Sequence, residues 1–252
     1  MRSDRRHRSL LRLGLCLSAG GVLLAGSGCA VKQGENPNLV LGKQQFVAKC
    51  GSCHTLARAG TKGTVGPNLD EVLRADVEVG GGRSTIRSVV EGQVAYPNPA
   101  EAMPKGLASG AVLKDIASYV AQSVAKPGSD SGLLASAVKA PGSGKPAEEK
   151  AGKLQIPANP EGQLAYATNK ATATPGAVTI EMPNMSGISH NIAIEAGSGG
   201  ANPSGKPVLG HSQFVTKGTA SVTVTLKPGT YTFYCEAPGH RAAGMWGTLT
   251  VK

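Results

Sequence analysis

Tyr234-Cys235-Glu236-Ala237-Pro238-Gly239-His240-Arg241-Ala242-Ala243-Gly244-Met245-Trp246 is the stretch on which the reading of the C-terminal half turns. It places a thiol, an imidazole and a thioether within eleven residues. One loop can bring all three to a single metal ion, and only one more histidine from elsewhere is then required. His190 is the best candidate. Two histidines and a cysteine in a trigonal set, with a weak axial methionine, are the ligands of a blue-copper site: soft sulfur suits Cu(I) and imidazole suits Cu(II). Each residue has a plainer reading alone, since a single strand cysteine is often a small buried hydrophobe and a single histidine often a surface or core residue. Their ordered coincidence is what points to a metal. His211, before Phe214 and without partner spacing, is read as structural, and Met182 and Met185 as packing residues or a rim contact.

The chain around this loop is written in short alternating segments: Leu154–Ile156, Leu164–Ala167, Val178–Met182, Asn191–Ile194, Ser221–Leu226, Tyr231–Tyr234 and Thr248–Val251. Pro175-Gly176, Gly197 to Gly200 and Lys227-Pro228-Gly229 supply turns between them. A β-sandwich over residues 153–252 is the natural inference. This half resembles the plastocyanin and azurin family of blue-copper cupredoxins over nearly its whole length. Its Cys-x4-His-x4-Met spacing is closest to the rusticyanin and auracyanin branch. The resemblance implies a Greek-key sandwich holding one type 1 copper, with His190, Cys235 and His240 as strong ligands and Met245 as the axial one. Asn191 would be the residue whose side chain steadies the loop carrying the cysteine.

Upstream, Cys50-Gly51-Ser52-Cys53-His54 sets two thiols one helical turn apart and follows them with an imidazole. Such a run can form two thioether bonds to haem vinyl groups while His54 binds the iron, the pattern of c-type attachment. A redox dithiol and half a zinc site are the alternatives. Zinc needs two further ligands, yet no other Cys or His lies between Ala30 and Ser189. A thioredoxin-like site needs a preceding strand and has no use for His54. The spacing of Leu39, Leu41, Phe46 and Val47 predicts an amphipathic helix over Asn38 to Lys49. Gly60 to Pro67 reads as loop. Ser84 to Glu91 reads as a helix capped by Ser84 and broken at Tyr96-Pro97-Asn98-Pro99, and Ala108 to Ala125 as a final helix stopped by Pro127.

Residues 30–126 resemble the all-α class I cytochrome c domain, with its motifs in the family's order. Gly42 and Phe46 look like the pair that lets the first helix pack closely on the last, Tyr119 being the aromatic partner. Gly66-Pro67-Asn68-Leu69 looks like the loop whose proline carbonyl, here that of Pro67, receives the ring N–H of the proximal histidine. Met103 is the only methionine between Ala30 and Lys126 and stands where the family carries its axial ligand, although a methionine can also simply fill an apolar gap. A His/Met pair closes both axial positions and favours electron transfer over substrate chemistry.

Residues 1–29 combine an arginine-rich start, a short apolar run over Leu13 to Ser27 and a small-residue exit, the layout of an export signal. Leu24-Ala25-Gly26-Ser27-Gly28-Cys29 resembles a bacterial lipoprotein box, which implies lipidation of Cys29; Gly26 departs from the commoner leucine. The formal charge of +10 would suggest nucleic acid, but Arg2, Arg5, Arg6, Arg8 and Arg12 against Asp4 carry +4 of it, leaving +6. No basic patch or aromatic ladder follows, which disfavours nucleic acid. Residues 127–152, rich in Gly, Pro, Ser, Ala and Lys, read as a mobile linker with a span of about 25–30 Å.

The expectation is a multidomain electron carrier with one covalent haem c and one copper. It would be exported to the periplasm or the outer face of the cytoplasmic membrane, lipid-anchored, and would take no small-molecule substrate. A quinol-oxidising complex and a terminal oxidase or reductase, in a respiratory or photosynthetic chain, are the expected partners. A subunit of an oxidase or reductase enzyme and a copper-delivery or sensing protein are the alternatives. The former suffers from too few histidines and a single cysteine in the loop, the latter from ligands sunk in a sandwich.

Overall fold

The computed structural model describes residues 36–99 and 103–252. The expected export signal and Cys29 lie outside them. No helix among the described residues is long and apolar enough to cross a membrane.

In the helical half, α1 (Leu39–Lys49) begins where Asn38 accepts a hydrogen bond from the Leu41 amide at 3.0 Å. A short hairpin follows, β1 (Thr55–Leu56) and β2 (Thr61–Lys62), so part of the expected loop is paired. Then come α2 (Leu69–Val72), α3 (Arg74–Glu78), α4 (Arg83–Ala95) and α5 (Gly110–Ser123). Helix α4 starts one residue before Ser84 and is capped by Gly82 without a side-chain bond. Buried Phe46, Val47, Leu56, Ile86, Ile116, Tyr119 and Val120 form one core.

The close packing of α1 on α5 expected from Gly42 is present. A Cβ on Gly42 would stand 2.2 Å from the Asp115 carbonyl oxygen, so only glycine permits this approach. One turn on, the Phe46 and Tyr119 rings meet with centroids 6.3 Å apart. The Asn38 amide also donates to the Asp115 carboxylate at 2.8 Å, pinning the start of α1 to the same helix.

The free tether expected over 127–152 is not what those residues form. Asp130, its side chain 5% exposed, pairs with Lys43 at 3.0 Å and Arg58 at 3.2 Å and accepts from the Tyr119 hydroxyl at 2.8 Å. Lys43 also donates to the Leu134 carbonyl and Gln44 to that of Ala137, while Leu134 and Val138 pack on the helical core around α6 (Leu133–Ser136). Further on, the Gly144 amide donates to the Ala167 carbonyl and β3 (Ala147–Glu148) joins a sheet. Composition signals coil here, but one buried acid between two cations and a few apolar side chains turn coil into a strap.

The C-terminal half has its own core. Strands β4 (Lys153–Gln155), β5 (Lys170–Ala173), β6 (Gly176–Asn184), β7 (Ala193–Ala196), β8 (Val208–His211), β9 (Gly218–Leu226), β10 (Gly229–Tyr234) and β11 (Trp246–Val251) make two sheets, ordered β3-β5-β11-β10-β7-β8 and β4-β6-β9. Alternation along β6 buries Val178, Ile180 and Met182 against Phe233, Leu249 and Val251 of the facing sheet. Each such aliphatic or aromatic side chain contributes about 1.5–3 kcal/mol on burial. The strand expected at Leu164–Ala167 is instead an irregular segment anchored by the Ala158–Tyr166 bridge. The two halves keep separate cores, yet Pro37–Lys252 form one compact unit.

Candidate metal centre

Strands β10 and β11 are antiparallel neighbours whose last pair is Tyr234 with Trp246. The quoted loop therefore closes the end of this hairpin, with Cys235 one step beyond β10 and Met245 one step before β11. Cys235 and Met245 are joined by a 3.1 Å backbone bond, and the Met245 amide donates to the His240 carbonyl. On the other side of β10, Tyr234 pairs with Ala193 of β7, which brings the residues before β7 level with Cys235. His190 lies there, exchanging both backbone bonds with Val215.

The side chains converge. His190 Nδ1 is 3.1 Å from His240 Nδ1, and Cys235 Sγ is 3.5 Å from His240 Nδ1 and 4.0 Å from His190 Nδ1. All three donors lie within 4.8 Å of one another. Two donors on one first-row ion, with bonds of about 2.0–2.3 Å, stand no further apart than about 4.5 Å. All three separations meet that limit, so the residues fit a copper ion in a His2Cys set. His190, Cys235 and Met245 are at most 1% exposed, while His240 is half-buried.

The electrostatics suit metal binding. Burial, with the nearby His240, pushes His190 down to about 4, and burial also lowers His240, so both rings are neutral and carry a free lone pair at pH 7. Burial raises the Cys235 thiol, partly opposed by backbone hydrogen bonds involving Asn191 and Ala237. A thiolate here depends on a cation to replace the proton.

Asn191 links the two ligand segments. Its side-chain Nδ2 donates to Glu236 Oε2 at 2.7 Å and its side-chain Oδ1 accepts from the Glu236 backbone N–H at 2.9 Å, tying the residue after His190 to the residue after Cys235. Beneath, the buried Tyr166 hydroxyl donates to the Asn191 carbonyl at 2.8 Å. His211 is no part of the donor set; it pairs with Glu236 at 3.1 Å from an exposed position. Met182 belongs to the sandwich core, and Met185 is exposed.

The reading from sequence missed a clamp behind the ligand loop. Arg241, directly after His240, pairs with the nearly buried Glu195 at 2.8 Å, donates to the carbonyls of Gly200 and Asn202, and lies 4.0 Å over the Tyr234 ring. A charged residue inside the apolar strand Ala193-Ile194-Glu195-Ala196 was the available signal, because a buried acid requires a partner.

Of the other predicted residues, Cys50, Cys53 and His54 lie at the end of α1. Buried Cys50 and half-buried Cys53 and His54 follow one another in a helical turn closed by His54 N–H donating to the Cys50 carbonyl. His54 Nδ1 is 2.9 Å from the Pro67 carbonyl, which leaves Nε2 as the acceptor-type nitrogen. Met103 is half-buried, after the undescribed residues 100–102.

Residues 155–252 match the family of copper-binding proteins of plastocyanin/azurin type. Cys50 to Met103 lie outside that match. A plastocyanin of Nostoc punctiforme is 36% identical over 97 residues, covering 36% of this chain and 68% of the relative. The chloroplast plastocyanin of Oryza sativa subsp. indica is 38% identical over 95 residues, 36% of this chain and 57% of the relative. Reduced auracyanin from the photosynthetic bacterium Roseiflexus castenholzii is 25% identical, with a TM-score of 0.36 over 41% of this chain and 99% of that one. With its two histidines, cysteine and methionine gathered at one end of the sandwich, the chain belongs, through residues 155–252, to the plastocyanin/azurin family of copper-binding proteins.

Proposed function

We propose that this protein is a two-centre electron carrier in which a type 1 copper is held by His190, Cys235, His240 and Met245 and a covalent haem by Cys50, Cys53 and His54. The observation that carries the copper half is the convergence of two Nδ1 atoms and one Sγ in a buried cup. What supports the haem half is the Cys-x-x-Cys-His run at a helix end, with the His54 ring oriented by Pro67 so that Nε2 is free to bind iron. Met103 is the sixth ligand in this reading. When bound, each group supplies a reversible one-electron couple.

The protein's contribution is to keep the donor atoms in place while charge changes. Asn191 and the Arg241–Glu195 pair fix the ligand loop on both sides, so little rearrangement accompanies reduction. Burial of His190, Cys235 and Met245 excludes water and opposes ligand exchange, which favours a carrier over a delivery protein. With four donors filled there is no position for a substrate, so we read the chain as a carrier and not an enzyme. The half-exposed His240 edge is the entry point for electrons.

The layout of residues 1–29 supports export, with Cys29 lipidated and the protein working at the outer face of the cytoplasmic membrane or in the periplasm. A quinol-oxidising complex on one side and a terminal oxidase or reductase on the other are the proposed partners. Mass spectrometry and metal analysis of the purified chain test the core of this proposal. One covalent haem adduct and one copper per chain, with a thiolate-to-copper band beside the haem bands, are expected; a copper-loaded chain lacking the thiolate band would refute the copper assignment.

A further inference from the structure

The two predicted centres are in the same compact unit, and two runs of contact join them. The first passes through the loop after β2. A Cβ on Gly66 would stand 2.5 Å from the His54 ring, and one on Gly63 would stand 2.5 Å from the Cys53 backbone, so this loop lies flat on the Cys50–His54 turn. The Gly66 amide donates to the Cys53 carbonyl, and the Thr55 hydroxyl to that of Gly63. The same loop reaches the copper side. A Cβ on Gly239, the residue before His240, would meet Thr64 Oγ1 at 3.2 Å.

The second run uses the irregular segment 158–166. A Cβ on Gly162 would stand 2.6 Å from the Ala48 carbonyl oxygen, two residues before Cys50, and both Gly162 and Gln163 are buried. Gln163 donates to the Lys139 carbonyl of the strap and accepts from Asn159. Four residues beyond Gly162, the Tyr166 hydroxyl holds the Asn191 carbonyl beside His190.

We propose that the loop 63–66 and the segment 158–166 dock the helical half on the sandwich and set a fixed separation between His54 and His240, with Thr64 as the positioning residue where this loop meets Gly239. This rests on the haem and copper assignments above. One electron leaves the reduced centre and arrives at the oxidised one; no bond or proton changes hands. Because tunnelling falls steeply with the gap, a fixed dock makes the transfer rate independent of chain diffusion, whereas a tethered encounter depends on it.

The test uses the full chain carrying both groups. The haem is reduced by a light pulse and the copper band followed, with viscosity raised by glycerol. The dock predicts a concentration-independent phase whose rate does not change with viscosity; a rate falling in proportion to viscosity would overturn it. Thr64→Arg, a wedge at the contact, should slow the phase by about tenfold or more, as ångström-scale misplacement of reacting partners does, with both visible spectra intact. Thr64→Ser should restore the rate. An unchanged rate in Thr64→Arg would also overturn the proposal. Small-angle scattering from the copper-loaded chain decides the docking without any electron transfer: a compact profile supports it, and an extended two-body profile refutes it. A chain with no haem spectrum would instead fail the underlying assignment, which the scattering result would leave separable.

Discussion

The two predicted centres are built by opposite means. At the copper end, the donors come from two places far apart in sequence, and paired strands bring them together: the β10–β11 hairpin carries the loop with Cys235, His240 and Met245, and β7 sets His190. At the end of α1, Cys50, Cys53 and His54 fall within five residues and are held by bonds within one turn and by Pro67. The cores differ as well. The sandwich buries Ile180, Phe233, Leu249 and their neighbours between two sheets and leaves Met185, Val208, Leu209 and Phe214 exposed, while the helical half leaves Val72, Val77, Val79, Val89 and Tyr96 exposed around a core of helices. A site assembled from distant strands needs the fold to exist first. A site written in one turn does not, and a group bound there would add more to the stability of its half.

The largest expected effect is reciprocal loss. Cys235→Ser should abolish the thiolate-to-copper band and leave the haem spectrum and circular dichroism of the chain intact. Replacing Cys50 and Cys53 together by serine should abolish covalent haem and leave the copper band. If either change removed both spectra, the halves would be one folding unit and the contrast would break.

Next in size, Phe46→Ala should destabilise the helical half by about 3–5 kcal/mol, because the ring fills the contact with Tyr119. Thermal melts followed at the haem and copper bands should separate, with the copper transition little moved. A common shift would again argue for a single cooperative unit.

Glu195 sharpens the comparison from the sandwich side. Burial would raise its carboxyl, but hydrogen bonds from Arg241 and Ser204 outweigh this and hold it at about 2. A depressed folded pKa means stability that is present above the ordinary carboxylate value, 4.5, and lost as pH falls through 4.5 toward 2. The span corresponds to about 3 kcal/mol. Acid titration of the copper-band melting point should show this loss, and Glu195→Gln should lack it; an identical acid profile in the variant would contradict the clamp. The smallest effect belongs to His211→Ala, whose exposed pairing with Glu236 is worth about 1 kcal/mol or less. A large drop in stability would give His211 a part the geometry does not.

Much of this was legible from the chain because the chemistry is dense at a few positions. Cys235, His240 and Met245 share one loop, so their common target could be read from spacing, and period-two burial along β6 and β9 follows the alternation of their apolar residues. Gly42 and Phe46 announced a close helix contact that is there. What escaped the sequence has physical reasons. Helices α2 and α3 are too short to show a period. Strand β5, Lys170–Ala173, carries only small or polar residues and is a strand because its neighbours pair with it. The strap over 127–152 hides behind a coil-like composition and is set by Asp130, whose two cationic partners lie far off in sequence. Arg241 and Glu195 are likewise 46 residues apart, a pairing that only the fold creates.

The central claim is that one chain carries two separate one-electron centres. A redox titration of the purified holoprotein, read at the thiolate-to-copper band and at the haem bands of the same sample, addresses it most directly. Two one-electron waves are expected, one at each band, with the copper wave lost in Cys235→Ser and the haem wave retained. A single wave at the haem bands, with no thiolate-to-copper absorption after copper loading, would contradict the account.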